Sequence, residues 1–195
     1  LLRETTGVQM QQTSLSSGNL NLKIQGLDGR YTQILRDGFP LYGGFAGGLS
    51  IMQIPPLDLK QVELIKGSNS TLYGGGAIAG IVNLVSIVPE DDPELSFMIN
   101  QTSALGTTGN IFYAQKYGKF GVSVYGSAYN QVEYNPDNDG FSNIPKARSY
   151  TLNPRLFYYL DSDTELNFGL STTLDHRIGG DMEVLKGNTS VDHVF

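Results

Sequence analysis

The 195-residue sequence contains no cysteine and no tryptophan, and it has only two histidines. The lack of cysteine excludes a disulfide framework, a cysteine-ligated zinc site and a thiol nucleophile. Basic residues are also few, because 13 Lys and Arg face 19 Asp and Glu, which gives a net charge of −6. Nucleic-acid binding needs basic groups that contact phosphates, so an acidic chain without a basic patch is a poor candidate for that function.

The sequence is also short of charge, and it is rich in glycine and tyrosine. Charged residues make up 16%, whereas the chain holds 24 glycines and 11 tyrosines. Low charge with ample aromatic residues argues against disorder and favours β structure. The least polar stretch, 74–88, is too short and too rich in glycine for a membrane helix, which needs about 20 apolar residues. Neither end resembles a terminus, so we expect the chain to be a piece of a longer protein.

The two halves of the chain differ in their pattern. Residues 1–88 contain short predicted strands separated by glycine-rich loops. From Glu94 onward, longer segments alternate strictly between apolar and polar residues, which predicts strands at 94–104, 110–117, 120–134, 148–160 and 164–175. One face of these strands is apolar, with Phe168 as an example, and the other is polar.

The predicted connections between these strands alternate between short and longer segments. Tight turns on one side and longer loops on the other are typical of a transmembrane β-barrel. A soluble β-sandwich also has alternating strands, and the pattern alone leaves both architectures open. Exposure of Leu152, Leu156, Leu166, Phe168 and Leu170 would favour the barrel, because a second sheet covers such a face in a sandwich.

Five segments of the first half resemble the plug domain of TonB-dependent outer-membrane receptors, in the order of that family. Residues 24–27 read IQGL, near the family's IRG, and residues 35–40 read LRDGFP, near its LIDGVP. Residues 59–67 read LKQVELIKG, near IERIEVLRG, and residues 70–86 resemble the segment that contains LYG. Residues 2–9 resemble a fifth, N-terminal segment. Five segments in order are far more specific than any one of them.

The resemblance implies a fold of an α+β plug domain at 1–88, a linker at 89–93, and at 94–195 about five antiparallel strands of a transmembrane barrel. The complete barrel of this family has about 22 strands around the plug. The resemblance assigns a structural role within the plug to ten residues. They are Gly26, Asp37, Gly38, Glu63, Lys66, Gly67, Tyr73, Gly74, Gly80 and Asn83.

The resemblance also places ligand contacts on three loops of the plug. The residues are Gln11, Gln12, Thr13 and Ser14 on the first loop, Asp28 and Arg30 on the second, and Tyr42 and Phe45 on the third. Gln, Ser and Thr offer donors and acceptors, and aromatic rings offer flat apolar faces, which suit a chelate or macrocycle. As ordinary surface-loop residues they would need no ligand to explain them.

Two arginines of the family pattern are replaced in this chain. Gln25 and Lys66 stand where the family has arginines that face carboxylates of the barrel. Glutamine cannot form an ion pair, and lysine cannot make the bidentate contact of arginine. We therefore do not expect the family's latch between plug and barrel in its usual form.

Three further patterns predict no chemistry of their own. The glycines from Gly74 to Gly80 are followed by a strand rather than a helix, unlike a dinucleotide-binding loop. The segment 135–140 resembles the start of a calcium loop, but Lys146 stands where a glutamate is needed. Asp175, at the end of the last predicted strand, borders an outer-loop region that holds His176 and Asp181; a ligand contact is one interpretation of these residues, and an ordinary surface role is the expected one. No catalytic constellation, metal site or cofactor is predicted.

The implied function is import rather than catalysis. The resemblance implies an outer-membrane receptor of a Gram-negative bacterium that takes up a scarce bulky ligand, such as an iron–siderophore, haem or cobalamin. Its implied partners are TonB, the small-molecule or metal-chelate ligand and outer-membrane lipid, with no nucleic acid. The alternatives are a soluble β-sandwich ligand-binding module, a mainly signalling or polysaccharide-importing receptor of the same superfamily, and a degenerate receptor.

Overall fold

The computed structural model describes residues 6–12, 20–40, 56–68, 77–161, 163–185 and 187. The chain divides into two compact units, the first comprising Leu1–Ser14 and Gly18–Ser86 and the second Leu15–Ser17 and Ile87–Phe195. The domain limits drawn from the sequence, with a linker at 89–93, remain a prediction.

The first unit contains a hairpin and a mixed four-stranded sheet. Strands β1 (Val8–Gln12) and β2 (Leu20–Ile24) pair antiparallel. After a 3₁₀ turn at Gly29–Tyr31, the sheet has the order β4-β3-β6-β5. Its strands are β3 (Thr32–Arg36), β4 (Phe39–Pro40), β5 (Leu59–Lys66) and β6 (Gly80–Ser86).

The core of this unit lies around β6, which pairs parallel with β3 and antiparallel with β5. Its apolar run fits this central position, because a strand covered on both faces carries consecutive apolar residues. Val82 and Leu84 pack with Ile24 and Ile34 in one buried cluster, and Ile81 belongs to a second. The hairpin and the sheet therefore share one hydrophobic core.

A two-residue turn at Asp37–Gly38 joins β3 to β4. Asp37 has φ +51° and Gly38 has φ +82°, the left-handed values that a tight two-residue hairpin turn requires. Asp and Gly adopt this conformation at low cost, which explains why this dipeptide occupies the turn.

Gly80 begins β6 at a point where no side chain fits. Its φ is +147°, and a Cβ placed there would lie 2.3 Å from the carbonyl oxygen of Ile65 on β5. The neighbouring atom belongs to the backbone of a paired strand, so it cannot move aside without disturbing the sheet. This close approach requires glycine.

We expect Gly80→Ala to destabilise the first unit by about 2 kcal/mol, through backbone strain and displacement of β5. The measurement is the denaturant midpoint at which this unit of the full-length protein becomes sensitive to protease. Gly26→Ala is the matched control, because Gly26 also has a positive φ but no atom lies within 4 Å of its added Cβ. The control should lose about 1 kcal/mol. Equal losses for the two variants would contradict the steric argument.

The second unit is an antiparallel sheet in the order β7-β8-β9-β10, and β10 pairs on its other side with both β11 and β12. The strands are β7 (Glu94–Gln101), β8 (Thr107–Tyr117), β9 (Phe120–Gln131), β10 (Lys146–Tyr159), β11 (Glu165–Gly169) and β12 (Thr172–Ile178). A single helical turn, α1 (Met182–Leu185), follows. In the described part of the chain, no helix is long and apolar enough to cross a membrane.

The sequence predicted one strand at 164–175, whereas the structure has β11 and β12 with an interruption between them. Both pair with β10 in the same register, since Arg155 lies opposite Gly169 and Leu152 opposite Thr172. The interruption lies opposite Pro154, which accepts a hydrogen bond from the Leu170 amide at 3.0 Å but has no N–H to return one. The two segments therefore form one line beside β10, broken by a missing donor.

The connections between strands follow the predicted alternation of lengths. Residues 118–119 form a tight turn between β8 and β9, whereas 132–145 form a long connection between β9 and β10. Between β10 and β11, the Asp163 amide donates to Asp161 Oδ1 at 2.9 Å. This hydrogen bond lowers the pKa of the Asp161 carboxyl, because it stabilises the charged form.

The two faces of this sheet differ as the alternation predicted. The face that the sequence marked as apolar is exposed: Leu152 is 53%, Leu156 59%, Leu166 60%, Phe168 72% and Leu170 57% exposed. On the opposite face Phe112, Tyr125 and Phe157 are buried together with Asn110 and Asn153. In the described residues no second sheet covers the apolar face, which is the arrangement expected of a barrel wall and not of a sandwich.

Candidate functional site

A buried ion pair connects three strands of the first unit. The Arg36 guanidinium on β3 contacts the Asp58 carboxylate through Nη2 and donates from Nε to the Ser86 hydroxyl at 3.0 Å. The Arg36 and Asp58 side chains are only 18% and 7% exposed. The Ser86 amide donates in turn to Asp37 Oδ1 at 2.8 Å. These contacts hold the end of β3, the start of β5 and the end of β6 at one point.

Sequence reasoning identified Asp37 in this network but missed Arg36 and Asp58. The available signal was a charged residue at the end of an apolar strand, since Ile34 and Leu35 precede Arg36. A buried charge needs a partner, but the sequence does not say which carboxylate that partner is.

A second polar network joins three of the predicted motif residues. The Asn83 amide nitrogen donates to Glu63 Oε2 at 2.8 Å, and Asn83 Oδ1 accepts from the Gly38 amide at 3.0 Å. Gln61 donates to the other Glu63 oxygen at 2.7 Å. Asn83 thus connects β5 and β6 to the turn after β3. The network positions backbone rather than a reacting group.

The two positions that depart from the family pattern both contact the segment before β1. Lys66 Nζ donates to the backbone carbonyl of Thr6, and the backbone N–H of Gln25 donates to the carbonyl of Gly7 at 2.7 Å. Gln25 has φ +52° and is followed by Gly26 at φ +80°. In this chain Lys66 therefore has a backbone partner within its own unit.

The polar face of the second unit carries an ion pair at the end that adjoins the long connection. On β12, Arg177 Nε lies 2.8 Å from Asp175 Oδ1, and Nη2 lies 3.1 Å from Oδ2. Tyr129 of β9 shares this face, because Ser149 lies between Tyr129 and Asp175 in the pairing register. The group offers a guanidinium, a carboxylate and a phenol to a ligand on this face.

This placement corrects the prediction that the last strand ends at Asp175 and that His176 lies beyond it in an outer loop. Both are paired residues of β12, and consecutive strand residues point to opposite faces. Asp181 lies after the strand, where its carboxylate accepts the amides of Glu183 at 2.7 Å and Val184 at 3.4 Å. Asp181 therefore caps α1.

Residues 1–81 match the family model described as TonB-dependent Receptor Plug Domain. Most of the first unit of this chain therefore matches the plug domain of that family. The chain as a whole combines this plug domain with antiparallel strands, as expected from the sequence.

Solved structures share the fold of both parts. The siderophore receptor PirA from Acinetobacter baumannii matches with a TM-score of 0.73 and 19% identity, over 96% of this chain and 30% of that protein. The pyoverdine outer membrane receptor FpvA from Pseudomonas aeruginosa matches at 0.67 and 16%, over 88% and 24%. The copper transporter OprC matches at 0.71 and 17%, over 89% and 27%. The chain spans less than a third of each of these proteins.

The described ligand-contact candidates of the plug do not form one cluster. Gln11 and Gln12 pair with Asn21 and Leu20 at one end of the β1–β2 hairpin. Asp28 follows the other end, where Val8 pairs with Ile24. At about 3.3 Å per residue, this separation is on the order of 10 Å.

Asp28 and Arg30 have local structural roles in the plug. Asp28 Oδ1 accepts from the Arg30 amide at 3.1 Å and caps the 3₁₀ turn. The Arg30 guanidinium lies over the Tyr31 ring, 4.8 Å from its centroid. Thr13, Ser14, Tyr42, Phe45, Tyr73 and Gly74 lie outside the described residues. The assignment of ligand contacts to the plug loops remains a prediction.

Of the ten motif residues, five adopt left-handed or related backbone conformations: Gly26, Asp37, Gly38, Gly67 and Gly80 all have positive φ. The Gly67 amide donates to the Ala79 carbonyl at 3.1 Å and closes the end of β5 onto β6. Within the described ranges, no three His, Asp or Glu side chains are grouped so that they could hold a metal ion.

Proposed function

We propose that this chain is part of a TonB-dependent outer-membrane receptor that imports a bulky metal chelate of the siderophore class. The observation that carries the proposal is an antiparallel sheet with an exposed apolar face, directly following a plug domain in the chain. A sheet of this kind is suited to lipid on one side and a wet interior on the other. The exposed apolar face does not support the β-sandwich alternative, because a second sheet would cover that face in a sandwich.

The polar face of the sheet supports a chelate as the ligand. Arg177, Asp175 and Tyr129 present charged and phenolic groups together at the end next to the long connection. Arg recognises anionic oxygens in a planar, directional way, and Tyr adds an apolar ring with a polar tip. Among the relatives, two are siderophore or pyoverdine receptors and one is a copper transporter, so copper is the second metal to test.

TonB is the proposed energy-coupling partner, and the ligand and outer-membrane lipid are the others. In this proposal TonB pulls on chain that precedes the plug, and the plug rearranges to let the ligand pass. The contact of Lys66 with the Thr6 carbonyl and the pairing of β1 with β2 hold the first described residues in place. A pulling force on the preceding chain would act first on these contacts.

The proposal is tested with the full-length protein that contains this chain, expressed in a bacterium lacking its own siderophore receptors. Uptake of ⁵⁵Fe-loaded siderophores, haem and radioactive copper is measured with TonB present and with TonB deleted. We expect uptake of an iron chelate that disappears without TonB. TonB-independent uptake would contradict the coupling, whereas growth on an oligosaccharide alone would favour the polysaccharide-importing alternative. A transcriptional response without uptake would favour signalling.

The third predicted ligand loop gives a second test, which measures ligand binding. We expect Tyr42→Ala and Phe45→Ala to weaken ligand binding by about tenfold each, because aromatic contacts dominate binding energy. Binding of the ligand identified by uptake is measured on the purified full-length protein. Phe39→Ala is the matched control, since Phe39 is a plug aromatic that is 76% exposed on β4. Unchanged affinity in both loop variants would remove this loop from the site.

A further inference from the structure

Three basic side chains meet at one end of the exposed apolar face. Arg148 of β10 lies directly opposite His176 of β12, and Lys146 lies two residues before Arg148. Side chains two residues apart on a strand share a face, so Lys146, Arg148 and His176 project together. We refer to these three residues as the cationic rim. All three are exposed.

The cationic rim lines a cavity of about 280 Å³. Its other walls are mainly apolar, formed by Ala147, Ile178, Val184 and Leu185. Because a water molecule takes up about 30 Å³ in the liquid, the cavity has room for a phosphate group and part of what is attached to it. The cavity therefore combines cationic donors with apolar contact surface.

The two charges of the cationic rim, on Lys146 and Arg148, are not used by the described part of the chain. None of the hydrogen bonds or ion pairs within the described ranges involves these three side chains. The nearby Asp175 carboxylate pairs with Arg177 on the opposite face of the sheet, and Asp181 caps α1. An anion from outside the chain would complement this site.

The position of the cationic rim along β10 corresponds to the headgroup region of a membrane. On the same face of β10 the apolar band runs from Tyr150 through Leu152 and Leu156 to Tyr158. Eight residues at about 3.3 Å each give roughly 26 Å of strand, or about 20 Å of depth at a tilt of about 40°. Barrel proteins present an apolar band of about 25 Å to lipid, so the next residues outward lie at headgroup level.

The opposite end of the band is mainly aromatic, with Lys119 as an exposed cation in the turn 118–119. Phe120 and Tyr158 lie with ring centroids 5.0 Å apart, and the Tyr113 and Tyr117 hydroxyls lie 2.7 Å apart. Aromatic residues are typical of both membrane interfaces, but only the end beside residues 132–145 adds three basic groups. The asymmetry indicates a charged ligand at that end.

We infer that the cationic rim binds the phosphate of a phosphorylated membrane lipid at the leaflet next to the long connection. Arg148 supplies a planar fork of donors, Lys146 a compact charge, and His176 a ring N–H donor. The apolar walls at Ile178 and Leu185 contact the part of the lipid next to the phosphate. This inference rests on the proposed membrane placement but not on the identity of the imported ligand.

The test uses the detergent-solubilised full-length protein and native mass spectrometry. Dioleoyl phosphatidic acid is titrated against dioleoylglycerol, which has the same acyl chains without the phosphate. We expect preferential retention of phosphatidic acid, about fivefold weaker in Lys146→Ala or Arg148→Ala and at least tenfold weaker in the double variant. Added salt should weaken the preference, because the site is partly exposed.

Lys119→Ala is the matched control, because Lys119 is an exposed cation in the tight turn 118–119 at the other end of the sheet. It should retain lipid like the unmodified protein. If the double variant does not assemble, Arg148→Lys and Arg148→Gln replace it, and only the glutamine variant should lose the preference. Heat-modifiable migration on a gel verifies that each variant is folded.

Three results would overturn the inference. They are equal retention of the two lipids, an unchanged preference in the folded double or glutamine variant, and competition by inorganic phosphate at the concentration of phosphatidic acid. The last would mean a site for a free anion rather than a lipid. These failures leave TonB-dependent uptake intact, whereas failure of the proposed function appears as a protein that does not assemble in the membrane or does not import.

Discussion

Phe168→Arg should prevent most of the full-length protein from assembling in the outer membrane. Phe168 is 72% exposed on β11 and lies opposite Leu156, well inside the apolar band. An arginine in the middle of a bilayer costs about 2–4 kcal/mol on the lipid face of a barrel, because the cation loses its hydration there. The measurement is the fraction of protein that shows heat-modifiable migration after extraction from membranes.

The neighbouring residue provides the control for this prediction. Asn167 is also exposed and belongs to the same strand, but it projects to the polar face. Asn167→Arg should therefore assemble nearly normally, because a charge on the wet side loses little hydration. Normal assembly of Phe168→Arg would contradict the placement of this face against lipid, and equal failure of both variants would show a general intolerance of arginine in this strand.

Asp58→Ala should destabilise the plug domain by about 3 kcal/mol. The substitution leaves the Arg36 guanidinium, whose side chain is 18% exposed, without the carboxylate that it contacts. Removing one partner of a buried pair is costly because the remaining charge stays desolvated. The strands meeting there would separate more readily. The measurement is the denaturant concentration at which the plug of the full-length protein becomes sensitive to protease.

Glu63→Ala tests whether the burial of the Arg36–Asp58 pair, or merely the loss of a carboxylate, causes the loss of stability expected for Asp58→Ala. Glu63 accepts hydrogen bonds from Asn83 and Gln61, but it is exposed on β5. Exposed polar contacts contribute about 1 kcal/mol or less, since water can replace them. A loss in Glu63→Ala as large as that in Asp58→Ala would contradict the special role of the buried pair.

Periodicity made the second unit largely predictable. The alternation of Leu156 and Phe168 with Arg155 and Asn167 is enough to assign each residue to the correct face of its strand, because strand side chains alternate strictly. The lengths of connections followed from the same pattern. Strand ends were less accurate, as the break opposite Pro154 shows. A missing backbone donor disrupts the partner strand, and the partner is not visible in a local pattern.

The plug was recognisable for a different reason. Its motifs contain residues with special backbone requirements, such as Asp37–Gly38 in a left-handed turn and Gly80 against the Ile65 carbonyl. Glycine at such positions can be recognised from the sequence, because few other residues can adopt the backbone conformation or fit the space there. The ligand contacts remain a prediction, and the structure places Asp28 and Gln12 near opposite ends of a hairpin.

The sequence by itself determined the local properties of this protein: which segments form strands, which face of each is apolar, and where a turn needs glycine. These follow from neighbouring residues and the geometry of one strand. Only the tertiary structure decided which distant groups meet. Arg36 lies 22 positions from Asp58 and 50 from Ser86. Likewise Arg148 meets His176 only through the register of β10 with β12. Such contacts depend on how separate strands align, and that alignment is set by the packing of the whole sheet.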